Sequence, residues 1–341
     1  MEKLVPQDKS NPNLSIADTL QNLGMLHKFV GKYDLAIKYC EESLKIKKFI
    51  YKEEHHLSYI SSLMFLGSIY ADAGDYDQAI NYSMQNLNLN KTINQNRPHP
   101  DVVDCFNNLA LIYCQKGQYD QAINCYEQSL AMNKLIYQDK PHSSVAYSIN
   151  NLGLLYVSTE QYDQAVKYCE ESLKIYKLVY QNEHNKDVAH SLFSLGIAYY
   201  SKENYDQAIY YFEQSLQMKK IIYQNQPHPS IADILNNLGL NYAAKTQYNK
   251  AINYYEQSLE MKKLIYHDQP HPSVALSLND LGLVYADIEE YNQAIKYHQQ
   301  ALQTIQVFEN HPYTAAIKDN FQKTAAAFAQ KSSLNPPEIN T

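Results

Sequence analysis

Two kinds of side chain recur in this chain at intervals that could support chemistry. Asparagine falls at Asn107, Asn150, Asn236 and Asn279, and again one residue later at Asn108, Asn151 and Asn237. An amide offers two donors and an acceptor, so a row of amides can pair with an extended backbone whatever its sequence. Gln21 and Asn22 stand at the head of the row, Met64, Phe65 and Phe193 interrupt it, and Asp280 follows Asn279. Histidine recurs at His56, His99, His142, His228 and His271, and metal ligation is the chemistry it invites. Packed helices lie about 8–10 Å apart, whereas two nitrogens on one zinc lie within about 4 Å of each other, given bonds of ~2.0–2.1 Å. One imidazole per interval therefore suits a loop cap better than a metal. The chain carries no Gly-rich phosphate loop, HExxH or GxSxG motif, so no enzyme activity and no cofactor are expected.

The interval in both rows is 43 residues. The leucine of a Leu-Gly pair falls at Leu23, Leu66, Leu109, Leu152, Leu195, Leu238 and Leu281, with Ala110 as the one replacement of the glycine. A constant period of this length points to stacked supersecondary units rather than one globular core. Within the copy around residues 230–272, Ile231, Leu235, Leu238 and Tyr242 form one helical stripe. Pro229 and Ser230 suit the start of that helix, the serine as a hydroxyl cap. Gly31, Gly74 and Gly117 suit its end in the first three copies. A second helix starts near Tyr248, with Asp34, Asp77, Asp120, Asp163 and Asp206 in its first turn in other copies, where the helix dipole favours an anion. Two small slots follow. Alanine fills the first seven times, at Ala36, Ala79, Ala122, Ala165, Ala208, Ala251 and Ala294. Ser43, Ser129, Ser172, Ser215, Ser258 and Ala301 fill the second, which Asn86 breaks. Both slots are read as close helix approach. Late lysines, Lys47, Lys219 and Lys262 among them, are assigned to the cation-favouring helix end.

Composition narrows the partners. Net charge is −7, the sequence pI is about 5.9, and Arg97 is the single arginine among 29 basic residues. That is no nucleic-acid footprint, and no apolar run is long enough for membrane insertion. The five cysteines form no CxxC pair and the first 20 residues hold no apolar leader segment, so a reduced, cytoplasmic setting is expected.

The Leu-Gly pair, a tyrosine three residues on, an alanine twelve after the glycine and a small residue seven after that resemble the tetratricopeptide repeat. The longer period and the phrase from His228 to Tyr242 look most like the kinesin light chain type. The resemblance implies an all-α fold, a right-handed superhelical solenoid of antiparallel helix pairs. Its parts would be a flexible N-terminus (1–12), seven repeats (13–311), a capping helix (312–331) and a disordered tail (332–341). It also implies that the first helices line a concave groove binding an extended peptide or partner helix. On this chain the groove positions are Gln21, Asn22, Met64, Phe65, Asn107, Asn108, Asn150, Asn151, Phe193, Asn236, Asn237 and Asn279, with Asp104, Asp233 and Asp280. The acids, with Asp18, Asp72 and Asp287, outnumber the bases there, so a polar to basic peptide is expected. The function so implied is a non-catalytic scaffold or adaptor with a protein partner and no small-molecule cofactor. A peptide-responsive regulator, or an accessory domain of a larger enzyme or signalling protein, is the alternative.

Overall fold

The computed structural model describes residues 12–52, 56–181, 183–308 and 313–334. Among these residues the chain forms fifteen α-helices and no strand. They divide into two compact units, one ending at Val179 and the other starting at Tyr180. The first unit holds α1 (Pro12–Phe29), α2 (Tyr33–Tyr51), α3 (Leu57–Asp72), α4 (Tyr76–Ile93), α5 (Pro100–Gln115), α6 (Tyr119–Tyr137), α7 (Ser143–Ser158) and α8 (Tyr162–Val179). The second holds α9 (Lys186–Ser201), α10 (Tyr205–Ile222), α11 (Pro229–Ala244), α12 (Tyr248–Ile265), α13 (Pro272–Asp287), α14 (Tyr291–Ile305) and α15 (Tyr313–Leu334). Within each unit every helix packs on the next in sequence, the arrangement of a helix-pair solenoid. Of the stretch expected to be flexible, residues 1–11 lie outside the described residues, and so do Pro312 and 335–341. Residues 332–334, assigned to the tail, continue α15.

The period places the same local device in most copies. Five first helices, α3, α5, α7, α11 and α13, are capped by the recurring histidine, not by the serine hydroxyl expected at Ser230, and α9 by Asn185, whose Oδ1 accepts the Asp187 N–H at 2.7 Å. His142 Nδ1 accepts the Ser144 N–H at 3.1 Å and His228 Nδ1 accepts the Ser230 N–H at 3.2 Å. His56, His99 and His271 do likewise. Each of four imidazoles also stacks on the tyrosine that closes the preceding second helix, as His142 does on Tyr137 with centroids 3.5 Å apart. The turn after each first helix needs a left-handed residue. Gly31, Gly74 and Gly117 supply it at φ 74°, 83° and 77°, while Glu160, Glu203, Thr246 and Glu289 adopt it with a side chain.

The core runs along the helix interfaces. All seven alanines of the first small slot are buried. The second slot is small for a further reason: in four copies its serine crosses to the first helix of the same copy and donates to a backbone carbonyl. Ser43 bonds Ala17 O at 2.6 Å, Ser172 bonds Ala146 O at 2.8 Å and Ser215 bonds Ala189 O at 2.6 Å. The tyrosine excess is absorbed by stacked pairs within copies, such as Tyr70 on Tyr82 and Tyr242 on Tyr254.

Candidate functional site

The paired amides of the first helices divide by one residue of register. Side chains one residue apart on a helix point about 100° apart, so the two rows meet different surroundings. The earlier row is buried at Asn107, Asn150 and Asn279, and its members serve the packing of neighbouring helices. Asn107 Oδ1 accepts the Ser129 hydroxyl at 2.7 Å. Asn279 Oδ1 accepts the Asn320 amide at 3.1 Å. Asn236 donates to Asp280 at 3.1 Å, and Gln21 Oε1 accepts from Lys47 at 2.7 Å and Ser62 at 2.6 Å. This departs from the sequence expectation, which set the whole ladder on a face that stacking leaves free. The later row is more open: Asn22 and Asn108 are exposed, Asn151 and Asn237 half-buried. Asn237 uses its amide on its own helix, donating to Asp233 O at 2.8 Å.

The lysines assigned to the cation-favouring helix end do more than meet the dipole. Lys47, Lys219 and Lys262 are buried, with Lys47 only 1% exposed. Each reaches from a second helix toward first-helix side chains. Lys47 Nζ lies 3.2 Å from Asp18 Oδ1, and Lys262 donates to Ser277 at 2.8 Å. Lys219 lies over the Phe193 ring, 5.5 Å from its centroid. Burial lowers all three pKa values, and Asp18, Asp233 and Asp280 pull them back up. Asp72 is likewise paired, with Lys28 at 3.0 Å. Two of the acids read from the first helices, Asp18 and Asp72, are thus paired with lysines. Asp104 and Asp233 remain exposed, and the Asp280 carboxyl is pushed up to about 6 by burial, against the Asn236 amide and Lys262.

The interruptions of the ladder lead to a concavity. In the first unit, α1, α3 and α5 frame a cavity of about 640 Å³. Met25 and Phe29 of α1, Met64 and Phe65 of α3, and Leu111 and Ile112 of α5 form apolar walls. Ser83 and Asn86 of α4, with Cys105 and Asn108 of α5, add polar groups, and the Lys28–Asp72 pair belongs to the lining. Phe29 is 91% exposed, Met64 42% and Leu111 47%, so the walls are open to an incoming side chain. Sequence reasoning singled out Met64, Phe65 and Asn108 for this face and missed Met25, Phe29, Ser83 and Leu111. The available signal was that repeat two departs from its copies at several slots at once. Phe193 is not part of this lining; it packs edge-on against Phe212, centroids 5.4 Å apart. Burial pushes Cys40 up to about 11 and Cys105 and Cys169 up to about 12, which disfavours the thiolate at these positions.

A stack of helix pairs with a lined concavity on its first helices is a repeat-built interaction fold. The tetratricopeptide repeat family model matches residues 15–91, 59–134 and 144–221, and related models of that repeat match 107–179, 232–263 and 274–313. The chain belongs to the tetratricopeptide repeat family, and its fold resembles kinesin light chain-like members. A putative kinesin light chain from Podosopora anserina with nearly identical repeats is similar at 20% identity, covering 62% of this chain and 99% of that one, with a TM-score of 0.52. The apo quorum sensor NprR from B. thuringiensis is similar at 14% identity over 86% of this chain and 77% of that one, TM-score 0.62. A Rap protein complexed with competence and sporulation factor is similar at 12% identity over 94% and 88%, TM-score 0.58. At these identities the likeness is one of fold. No curated protein matches the chain.

Proposed function

We propose that this protein is a non-catalytic adaptor that binds an extended peptide segment of a partner protein along the first helices of its N-terminal unit. The observation that carries the reading is the open cavity between α1, α3 and α5, with apolar walls and exposed amides beside it. An apolar peptide side chain enters the cavity, where burial of apolar surface supplies the affinity. Asn22 and Asn108 pair with the peptide backbone on either side, which costs little sequence selectivity. The similar Rap structure is a complex with competence and sporulation factor, which supports a partner-binding use of the fold. Because Lys47 and Lys28 pair with Asp18 and Asp72 and the cavity walls are apolar, the partner segment is apolar and polar rather than strongly basic. No helix among the described residues is long and apolar enough to cross a membrane. The five free cysteines suit the reduced cytoplasm, where the adaptor is placed by this reading.

A peptide array tests it. Wild-type protein and the variants Met64→Lys and Leu111→Lys are compared, both at exposed positions where folding tolerates a charge. Peptides retained by the wild type and lost by both variants are the expected result. Retention that both variants leave intact, or no retention at all, overturns it.

A further inference from the structure

We infer that the cavity is a core ring slot left vacant by repeat two, and that the bound peptide fills it with an aromatic side chain, tyrosine above all. This rests on the peptide reading above and names its anchor. The slot lies on the second helices and recurs as Cys40, Ser83, Tyr126, Cys169, Phe212, Tyr255 and His298. Four copies fill it with a ring of their own, and all four rings are buried. Three of them lie against the glycine of the first helix. A Cβ on Gly196, Gly239 or Gly282 would sit 2.6–2.7 Å from the ring of Phe212, Tyr255 or His298. Repeat two keeps the glycine, Gly67, but sets against it only the Ser83 hydroxyl, whose Oγ would lie 2.6 Å from such a Cβ. Copies one and four place a thiol there, Cys40 and Cys169, and four others continue into a ring; at repeat two the chain stops at the Ser83 hydroxyl, and Ser83 lines the cavity.

Two further departures in the same repeat suit the slot to an incoming ring. Asn86 replaces the serine or alanine of the other copies. Asn90 donates to its Oδ1 at 2.7 Å, which turns the Asn86 amide and leaves its nitrogen to donate toward a ligand in the cavity. Met64 stands where other copies carry an amide or phenylalanine. Its flexible thioether adapts to, and makes favourable contact with, an aromatic edge. The site therefore combines apolar walls, a sulfur flank and one amide donor. A phenol uses all three, its oxygen accepting from Asn86, and a leucine leaves the donor unanswered.

The test uses the full chain and fluorescein-labelled libraries of 12-residue peptides. One central position is held as Tyr, Phe, Leu or Ala and the remainder are randomised. The tyrosine pool is expected to bind at least tenfold tighter than the alanine pool, with phenylalanine between them. Ser83→Tyr, which installs the side chain repeats three and six already carry, should weaken the tyrosine pool at least tenfold while the helical circular dichroism stays unchanged. Asn86→Ser should erase the preference for tyrosine over phenylalanine. If the leucine pool binds as well as the tyrosine pool, or if folded Ser83→Tyr binds like the wild type, the aromatic anchor is wrong and the peptide reading survives. If no pool binds, both fall. The comparison of wild-type pools decides the matter even where Ser83→Tyr does not fold.

Discussion

Asn236 on α11 and Asp280 on α13 are joined by a hydrogen bond from the amide Nδ2 to the carboxylate Oδ2, 3.1 Å long, across two successive repeats. Asp280 occupies the row that Asn22, Asn108, Asn151 and Asn237 fill elsewhere, so one carboxylate stands where the repeat otherwise places an amide. Burial pushes its carboxyl up to about 6 although Asn236 and Lys262 both favour the anion. The folded-state value lies above an unfolded value of about 3.9. Its contribution is therefore fully present below about pH 4 and lost as pH rises through about 6. Asp280→Asn should stabilise the protein at pH 8 by on the order of 1–3 kcal/mol, and that gain should shrink at pH 4.5. Thermal unfolding of both proteins at the two pH values measures it; an equal gain at both would reject the account.

His298 presents the opposite sign. It fills the ring slot of repeat seven, fully buried, with neither ring nitrogen hydrogen-bonded. Burial lowers its pKa from 6.5 to about 4. Here the folded value is depressed below the unfolded one, so the contribution is present above about 6.5 and lost as pH falls toward 4. His298→Phe supplies the ring of Phe212 without polar atoms. Urea unfolding should show it more stable than wild type by about 1–3 kcal/mol at pH 7.5, and by more at pH 5. A variant less stable at pH 5 than the wild type would contradict this.

These two sites show where the sequence was legible. Leu-Gly, the alanine slot and the tyrosine pairs repeat because each copy buries the same stripe, and so the helices and their order could be read from the period. The histidine row could be assigned to loop capping from spacing alone, though the serine after it was mistaken for the cap. The polar residues of Lys47, Asn107 and Lys262 type were not legible. A helical pattern gives the direction of a side chain but not what the neighbouring copy places opposite it. A lysine near a helix end reads as solvent-exposed until Gln21, Ser62 and Asp18 are seen around its ammonium. The cavity was legible only in part, since Met64, Phe65 and Asn86 were visible as breaks but Ser83 was not noticed among slots already varied.

The turn after α11 carries an unfavourable residue. Thr246 holds φ at 56°, in the position that Gly31, Gly74 and Gly117 occupy in the first three copies. A β-branched residue is strained there, at about 1–2 kcal/mol for a left-handed L-residue. Glycine relieves the strain but loosens the unfolded chain. Thr246→Gly should therefore raise stability by about 1 kcal/mol net of that entropy. The same exchange at Lys245, outside the left-handed region, should lower it. Chemical denaturation of the two variants side by side distinguishes a backbone effect from a general response to glycine.

Asn107 and Asn108 are adjacent in sequence and should separate cleanly in experiment. Asn107 is buried, and its Oδ1 accepts from Ser129, whose hydroxyl is 3.0 Å from that of Ser148, which in turn receives the Asn133 amide at 3.1 Å. Removing one member strands the others in a dry interface, so Asn107→Ala should cost about 1–3 kcal/mol. Asn108 is exposed and lines the cavity. Asn108→Ala should leave the unfolding midpoint within about 0.5 kcal/mol of wild type while weakening the peptides that the wild type selects. Paired denaturation and binding curves for the two variants carry the distinction. If Asn107→Ala is stable and loses peptide, the buried row serves recognition after all, and the division of the ladder by one residue of register is wrong.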